Sequence, residues 1–145
     1  MTVEPGGEAT LTLTLHNTGT VVEGFEFDVL GECRAWADTD PSAVSLLPGD
    51  ERTVTVHLHP PRGPIPLAGR HPIGVLVRPA SRPAESVVVE GDVVVAPFTE
   101  LAAQLRPVTS RAAWRPHHQV DIENAGNTEV DVSVTALDQD NKLTF

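Results

Sequence analysis

Cysteine, tyrosine and lysine are nearly or wholly missing from this sequence of 145 residues, which has one Cys (Cys33), no Tyr and one Lys (Lys142). A single thiol cannot close an internal disulfide, so the fold must stand on burial and hydrogen bonding, with no sign of an oxidising compartment. Aromatic content is only 4%, which leaves few flat platforms on which sugars or bases could stack. Basic residues are outnumbered ten to twenty by acidic ones, for a formal charge of −10. Phosphate backbones and anionic lipids are bound through Lys and Arg, so the balance argues against nucleic acid and membrane as partners. No apolar run approaches the ~20 residues that a membrane helix needs. The opening "MTVEPGGEAT" has neither the basic start nor the apolar centre of a secretory signal. The expected compartment is therefore cytoplasmic by default, or secreted if the chain is a segment of an exported protein.

What the sequence does have is thirteen Pro, eleven Gly and many short alternating runs of Val and Leu. Read with period two, "ATLTLTLH" sets Leu11, Leu13 and Leu15 on one face and Thr10, Thr12 and Thr14 on the other, a half-buried strand. Asn17-Thr18-Gly19 follows as a turn, with an Asn able to bond its own backbone and a Gly able to take positive φ. Phe25, Phe27 and Val29 then alternate in "GFEFDV", and Val54, Val56 and Leu58 alternate in "ERTVTVHLH" with Thr53, Thr55, His57 and His59 facing out. "PIGVLVR" and "SVVVEGDVVVA" complete a set of short strands spaced roughly 8–12 residues apart, as in an all-β, immunoglobulin-like β-sandwich.

Two repeats organise the chain. "EPGGEATLTLTLH" aligns without a gap on "LPGDERTVTVHLH", an offset of 43 that sets Pro5 on Pro48, Gly6 on Gly49 and Thr10 on Thr53. Each copy is a proline-glycine turn launching an alternating strand, and two such hairpin units are expected to build one sandwich. The larger repeat sets Asn17 and Gly19 on Asn124 and Gly126, an offset of 107, and Phe25, Phe27 and Val29 on Val130, Val132 and Val134. Since one immunoglobulin-like unit has roughly 100 residues, this predicts tandem domains. Residues 1–96 form the first, and 97–145 hold only the first strands of the second, with Pro97 marking the join and a new strand starting at Phe98. An incomplete second sandwich leaves Val120, Ile122, Val130, Val132 and Val134 on an uncovered face beside an unpaired edge, which soluble proteins avoid. Either the protein continues past Phe145 or another chain covers that face. The expected partner is accordingly a protein, or a second copy, added as a strand along the open edge of residues 117–145.

"EPGGEATLTLTLHNTGT", "LLPGDERTVTVHLHPP" and "PLAGRHPIGVLV" together resemble the immunoglobulin-like domains that accompany bacterial α-galactosidases, and the related adhesion-type domains. The whole chain is similar to tandem immunoglobulin-like proteins of actinobacteria, and nine of its ten basic residues are Arg, a usage that also fits GC-rich bacterial genomes. The match covers about residues 2–96 and, weakly, 97–145. It implies a structural, adaptor, spacer or adhesive role and carries no catalytic residue across. A second role implied by the resemblance is that of an accessory domain in a secreted carbohydrate-active enzyme.

Chemistry finds little purchase. His57 and His59 emerge on one face and could share a metal, but no further His or Cys has the spacing to complete a site, so exposed strand histidines are the plainer reading. His117 and His118 point to opposite faces, and His16 and His71 are isolated. Cys33 in "GECRAWAD" would need a lowered pKa to act as a nucleophile. Glu32 and Asp38 work against that and only Arg34 helps, so a buried or half-buried thiol is expected. No nucleophile elbow or phosphate loop is present. No cofactor, metal or enzymatic activity is therefore expected. Trp36 caps the core, whereas Trp114 lies with Arg111 and Arg115 in "SRAAWRPHH", a basic and aromatic stretch in an acidic chain. Trp and Arg are enriched at interface hot spots, so Arg111, Trp114 and Arg115 are the candidate partner contacts, for protein or for carbohydrate. The competing reading packs them at the domain junction. "HPPRGPIPLAGRHP" reads as a stiff connection between strands, exposed enough to make contacts.

Overall fold

A computed structural model describes residues 1–106 and 118–135 of the chain. In chain order the strands are β1 (Thr2–Val3), β2 (Ala9–His16), β3 (Glu23–Leu30), β4 (Ala37–Asp40), β5 (Ala43–Leu46), β6 (Glu51–Leu58), β7 (Gly69–Pro79), β8 (Val87–Val95), β9 (Leu101–Arg106) and β10 (Gln119–Asn124). Short 3₁₀ turns occupy Glu32–Ala35 and Pro83–Glu85. One sheet runs β1-β8-β7-β3-β5 and a second β2-β6-β4, while β9 and β10 pair as a separate two-stranded ribbon. The two larger sheets make an immunoglobulin-like β-sandwich.

Alternation decides which residues form its core. Val54, Val56 and Leu58 of β6 are fully buried, since β6 is flanked by β2 and β4 and faces the other sheet. Val29, Ile73, Val75, Val93 and Val95 meet them from β3, β7 and β8, with Cys33 and Trp36 closing one end. Fully burying each large apolar side chain contributes about 1.5–3 kcal/mol, which compensates for the missing disulfide. Leu11 and Leu13 of β2 pack on this core but stay half-buried, because β2 lies at the rim of its sheet.

The 43-residue echo takes a form that differs from the expected pair of hairpins. Its two strands, β2 and β6, are antiparallel neighbours, with Thr12 opposite its own echo Thr55, Leu11 opposite Val56 and Leu13 opposite Val54. A local two-fold axis passes through the Thr12–Thr55 pair, and the turns obey it. Gly7 N–H donates to Glu4 O at 2.9 Å and Asp50 N–H to Leu47 O at 3.1 Å, while Gly6 N–H donates to Pro60 O at 2.7 Å and Gly49 N–H to Asn17 O at 2.8 Å. Gly6 and Gly49 have φ of 76° and 82°. Proline followed by a positive-φ residue is the signature of a type II turn, which explains why the phrase is Pro-Gly both times.

Three other expectations need correction. Gly19 does not take positive φ; a Cβ there would meet Asn17 Oδ1 at 3.0 Å, so its place is set by close approach. The strand expected from Phe98 starts at Leu101, because Phe98 to Glu100 are occupied by contacts with residues 125–128. Val130, Val132 and Val134 lie outside any strand, since alternation forms no ladder without a neighbouring strand, and none among the described residues runs beside them. Strands β4 and β5, "ADTD" and "AVSL", are short edges whose composition gave no signal.

Candidate functional site

The region that sets this chain apart from a bare sandwich is the passage from β8 into the β9–β10 ribbon. Ala96 N–H donates to Val3 O at 2.9 Å and ends the sandwich. Across the join, Asn127 is buried, with 1% of its surface exposed. Its Nδ2 donates to Ala96 O at 3.0 Å and its Oδ1 accepts from Phe98 N–H at 2.8 Å. Its backbone accepts from Ala68 N–H at 2.9 Å and donates to Phe98 O at 3.2 Å. One side chain thus satisfies the backbone on which Pro97 would otherwise leave carbonyls and amides unpaired.

Gly126 is the second requirement of the join. A Cβ at this position would lie 2.6 Å from Phe98 O and 2.8 Å from Glu100 N, so only glycine lets the turn press onto residues 98–100. The turn itself repeats the one after β2 in atomic detail. Gly19 N–H donates to Asn17 Oδ1 and Gly126 N–H to Asn124 Oδ1, both at 3.0 Å, and the two amide nitrogens donate to Val21 O at 2.9 Å and Thr128 O at 2.8 Å. Asn17 also donates to Leu46 O at 3.0 Å and is buried, whereas Asn124 is exposed. The proline-rich connection braces the same join. Arg62 stacks over the Phe98 ring at 4.5 Å from its centroid and pairs with Glu100 at 3.4 Å, both cation and carboxylate being exposed. Pro64, Leu67 and Ala68 face Asn127 and Glu129 across an open cleft of about 520 Å³.

Beyond the join, β9 and β10 pair from Arg106↔Gln119 to Leu101↔Asn124. Leu101, Leu105, Val120, Ile122, Val132 and Val134 are all exposed, and Val130 is half-buried. No other strand among the described residues pairs with either edge of this ribbon.

Other sequence candidates fall elsewhere. Arg111, Trp114, Arg115 and His117 lie outside the described residues. His57 and His59 do share a face, their rings stacked with centroids 6.1 Å apart, and His59 approaches Glu8 at 3.7 Å. No group of three or more metal-ligating side chains occurs among the described residues. Cys33 is fully buried, and its Sγ approaches Pro72 O at 3.5 Å. Burial, reinforced by Glu32, pushes its pKa up, while Arg34 is drawn away to Asp28 at 3.4 Å. A thiol so placed stays protonated and inert.

Besides Asn127, sequence reasoning missed two buried polar groups. His71, read as isolated, sits edge-on to Trp36 with ring centroids 6.2 Å apart, and its Nε2 lies 2.7 Å from Leu67 O. Its only sequence signal was a position at the start of an alternating strand. Glu23 is a buried carboxylate at the start of β3 that takes the Ser81 backbone N–H at 2.9 Å and the Ser81 hydroxyl. The two Ser81 bonds, aided by Arg82, hold its pKa below the ordinary carboxylate value against the opposing effect of burial.

No protein-family model matches the chain, and no curated protein matches it in sequence. Among solved structures it is similar to the CupB2 chaperone of Pseudomonas aeruginosa, with 10% identity and a TM-score of 0.44 over 59% of this chain and 47% of that one. The E. coli chaperone DraB follows at 16% identity and 0.47, over 66% and 50%. PapD-like domain 7 of human CEP192 gives 18% and 0.45, over 66% and 76%. The chain spans about half the length of the two bacterial proteins. At such identities and TM-scores the likeness carries no argument about family or role, and none of these three is of the α-galactosidase-associated kind.

Proposed function

We propose that this chain is a non-catalytic structural or adaptor module, in which a rigid immunoglobulin-like sandwich holds a β-ribbon at fixed spacing for a protein partner. Residues 1–96 are the sandwich and 97–145 the opening of a second unit of the same kind. The observation that carries this reading is the contrast across the join. Asn127 and Gly126 fix the ribbon to the sandwich through buried backbone bonds, yet the ribbon's own apolar side chains are exposed. A two-stranded ribbon is marginal alone in water, so a fixed, uncovered one is a surface built to be completed. Strand addition along β9 or β10, within the edge of residues 117–145, would supply backbone pairing, with alternate side chains filling the apolar face. Arg111, Trp114 and Arg115 stand in the segment joining β9 to β10, where they would anchor the rim of such a contact.

The test is hydrogen exchange across residues 117–136 at rising protein concentration, with β6 and β7 as internal references. Protection that grows with concentration in 117–136, and is lost in Asn127→Ala, is the expected result. Removing the amide orphans the Ala96 carbonyl and Phe98 N–H, each costing about 1–3 kcal/mol when left buried. Exchange in 117–136 at the rate of free peptide under every condition would sink the proposal.

A further inference from the structure

A different edge carries a more specific inference. Strand β2 ends its sheet, and among the described residues no strand lies on its outer side. Exposed edges are ordinarily defended by charge, proline or bulges, but Ala9–His16 reads "ATLTLTLH", eight residues with no acidic residue, Lys, Arg, Pro or Gly. In a chain of net charge −10 this is an undefended edge, free of the repulsion that the rest of the surface would bring to self-contact.

The fold itself shows what fits against it. On its inner side β2 pairs antiparallel with β6, its own 43-residue echo, about the two-fold through Thr12 and Thr55. The end residues obey the same symmetry, since His16 lies opposite Glu51 and His59 approaches Glu8 at 3.7 Å. A strand of this pattern is therefore complementary to a strand of this pattern, in this register. Backbone direction agrees as well. Asn17 N–H donates to Asp50 O at 3.0 Å, and His59 N–H donates to Trp36 O on the far side of β6 at 2.7 Å. Because bonded pairs alternate in an antiparallel ladder, the odd residues of β2 are spent on β6, and Thr10, Thr12, Thr14 and His16 turn their amides and carbonyls to the open edge.

We infer that two copies of this chain associate through β2, antiparallel, about a two-fold axis at Thr12. Thr12 then faces Thr12 of the second copy in a bonded pair, Thr10 faces Thr14, and Leu11 covers Leu13 on the core side. Glu8 faces His16 of the second copy, so the outer face carries an alternating row of Glu51, His16, Glu8 and His59 across the seam. The two three-stranded sheets become one of six strands. The contact is isologous and closed, so association through it stops at two chains. It uses none of the residues of the β9–β10 ribbon and stands or falls independently of the proposed role of that ribbon.

Sedimentation equilibrium over a wide concentration range tests this on the whole chain, comparing the natural sequence with Thr12→Lys and Thr12→Glu. Thr12 is exposed, so either variant should fold, as checked by circular dichroism. Like charges directly opposite each other destabilise a strand pair, whereas opposite charges support it. As concentration rises the natural chain should exceed the mass of either variant alone, twofold where the ribbon adds no association of its own, and an equimolar mixture of the two should regain the natural chain's mass. A natural chain no heavier than its variants overturns the inference. So does a mixture that fails to recover.

Discussion

Glu23 shows how a single residue can tie distant segments together while staying invisible to pattern reading. Its buried carboxylate, at the head of β3, holds the loop after β7 through the Ser81 hydroxyl and N–H and through Arg82 at 3.8 Å. Because these partners lower its pKa in the folded protein from the ordinary 4.5, the ionised form is the one that stabilises the fold. That contribution is complete above the unfolded-state value and is lost as pH falls through the depressed folded one. The melting-temperature gap between the natural chain and Glu23→Gln should be flat from neutral pH down to about 4.5, then close as the pH falls further. Ser81→Ala removes the largest cause of the shift, so in that background the gap should be smaller and its closure complete at higher pH. A gap that stays constant through the acid range would show that the carboxylate is not coupled to folding. Asn127 belongs with Glu23, since both are buried polar side chains whose partners lie far away in sequence. Nothing in "ENAGNTE" separates Asn127 from its turn-forming neighbour Asn124 until residues 96–98 are placed beside it.

At the scale of elements, burial rather than hydrophobicity ranks the strands. Leu58 and Leu11 both lie on the inner face of the second sheet, but Leu58 is fully buried on a central strand and Leu11 half-buried on the edge. Leu58→Ala should cost about 2–5 kcal/mol in a urea melt, as buried Leu to Ala changes do. Leu11→Ala should cost clearly less. Equal losses would mean that the rim of the sandwich is packed as tightly as its centre. The same distinction explains what could be read in advance. Strands β2, β3, β6 and β7 each declare themselves by period two, because one of their faces meets the other sheet, whereas β8 shows as two short valine runs and is buried only at Val93 and Val95. The short edges β4 and β5 have too few residues for a period to emerge, and β4 carries Asp38 and Asp40 outward. The proline-glycine repeat revealed two matching turns, but not that the strands they launch lie side by side. Sequence fixes a strand's faces, whereas its neighbours are chosen by the rest of the chain. The join was legible only as Pro97 and the repeated Asn-x-Gly, and Gly126 was legible as a turn glycine without its true constraint, the backbone of residues 98–100.

For the molecule as a whole, the distribution of the core decides what folds alone. Every residue of the buried cluster lies between Val3 and Val95, and the bonds from Val94 N–H to Met1 O and from Ala96 N–H to Val3 O close the sandwich on itself. The ribbon, in contrast, takes its fixed position from the sandwich through Asn127, Ala68 and Arg62, and among the described residues it adds nothing to the buried cluster. Residues 1–96 expressed alone should therefore unfold in one cooperative transition, with a midpoint within a few degrees of the longer chain, a shift corresponding to about 1 kcal/mol. Residues 97–145 alone should show no cooperative transition at concentrations where they stay monomeric. If the 1–96 fragment were instead unfolded, the ribbon would be part of the sandwich's own stability, and its exposed valines could not be read as a surface awaiting another chain. If the 97–145 fragment melted cooperatively as a monomer, the second unit would already be complete, and no partner would be needed to cover it.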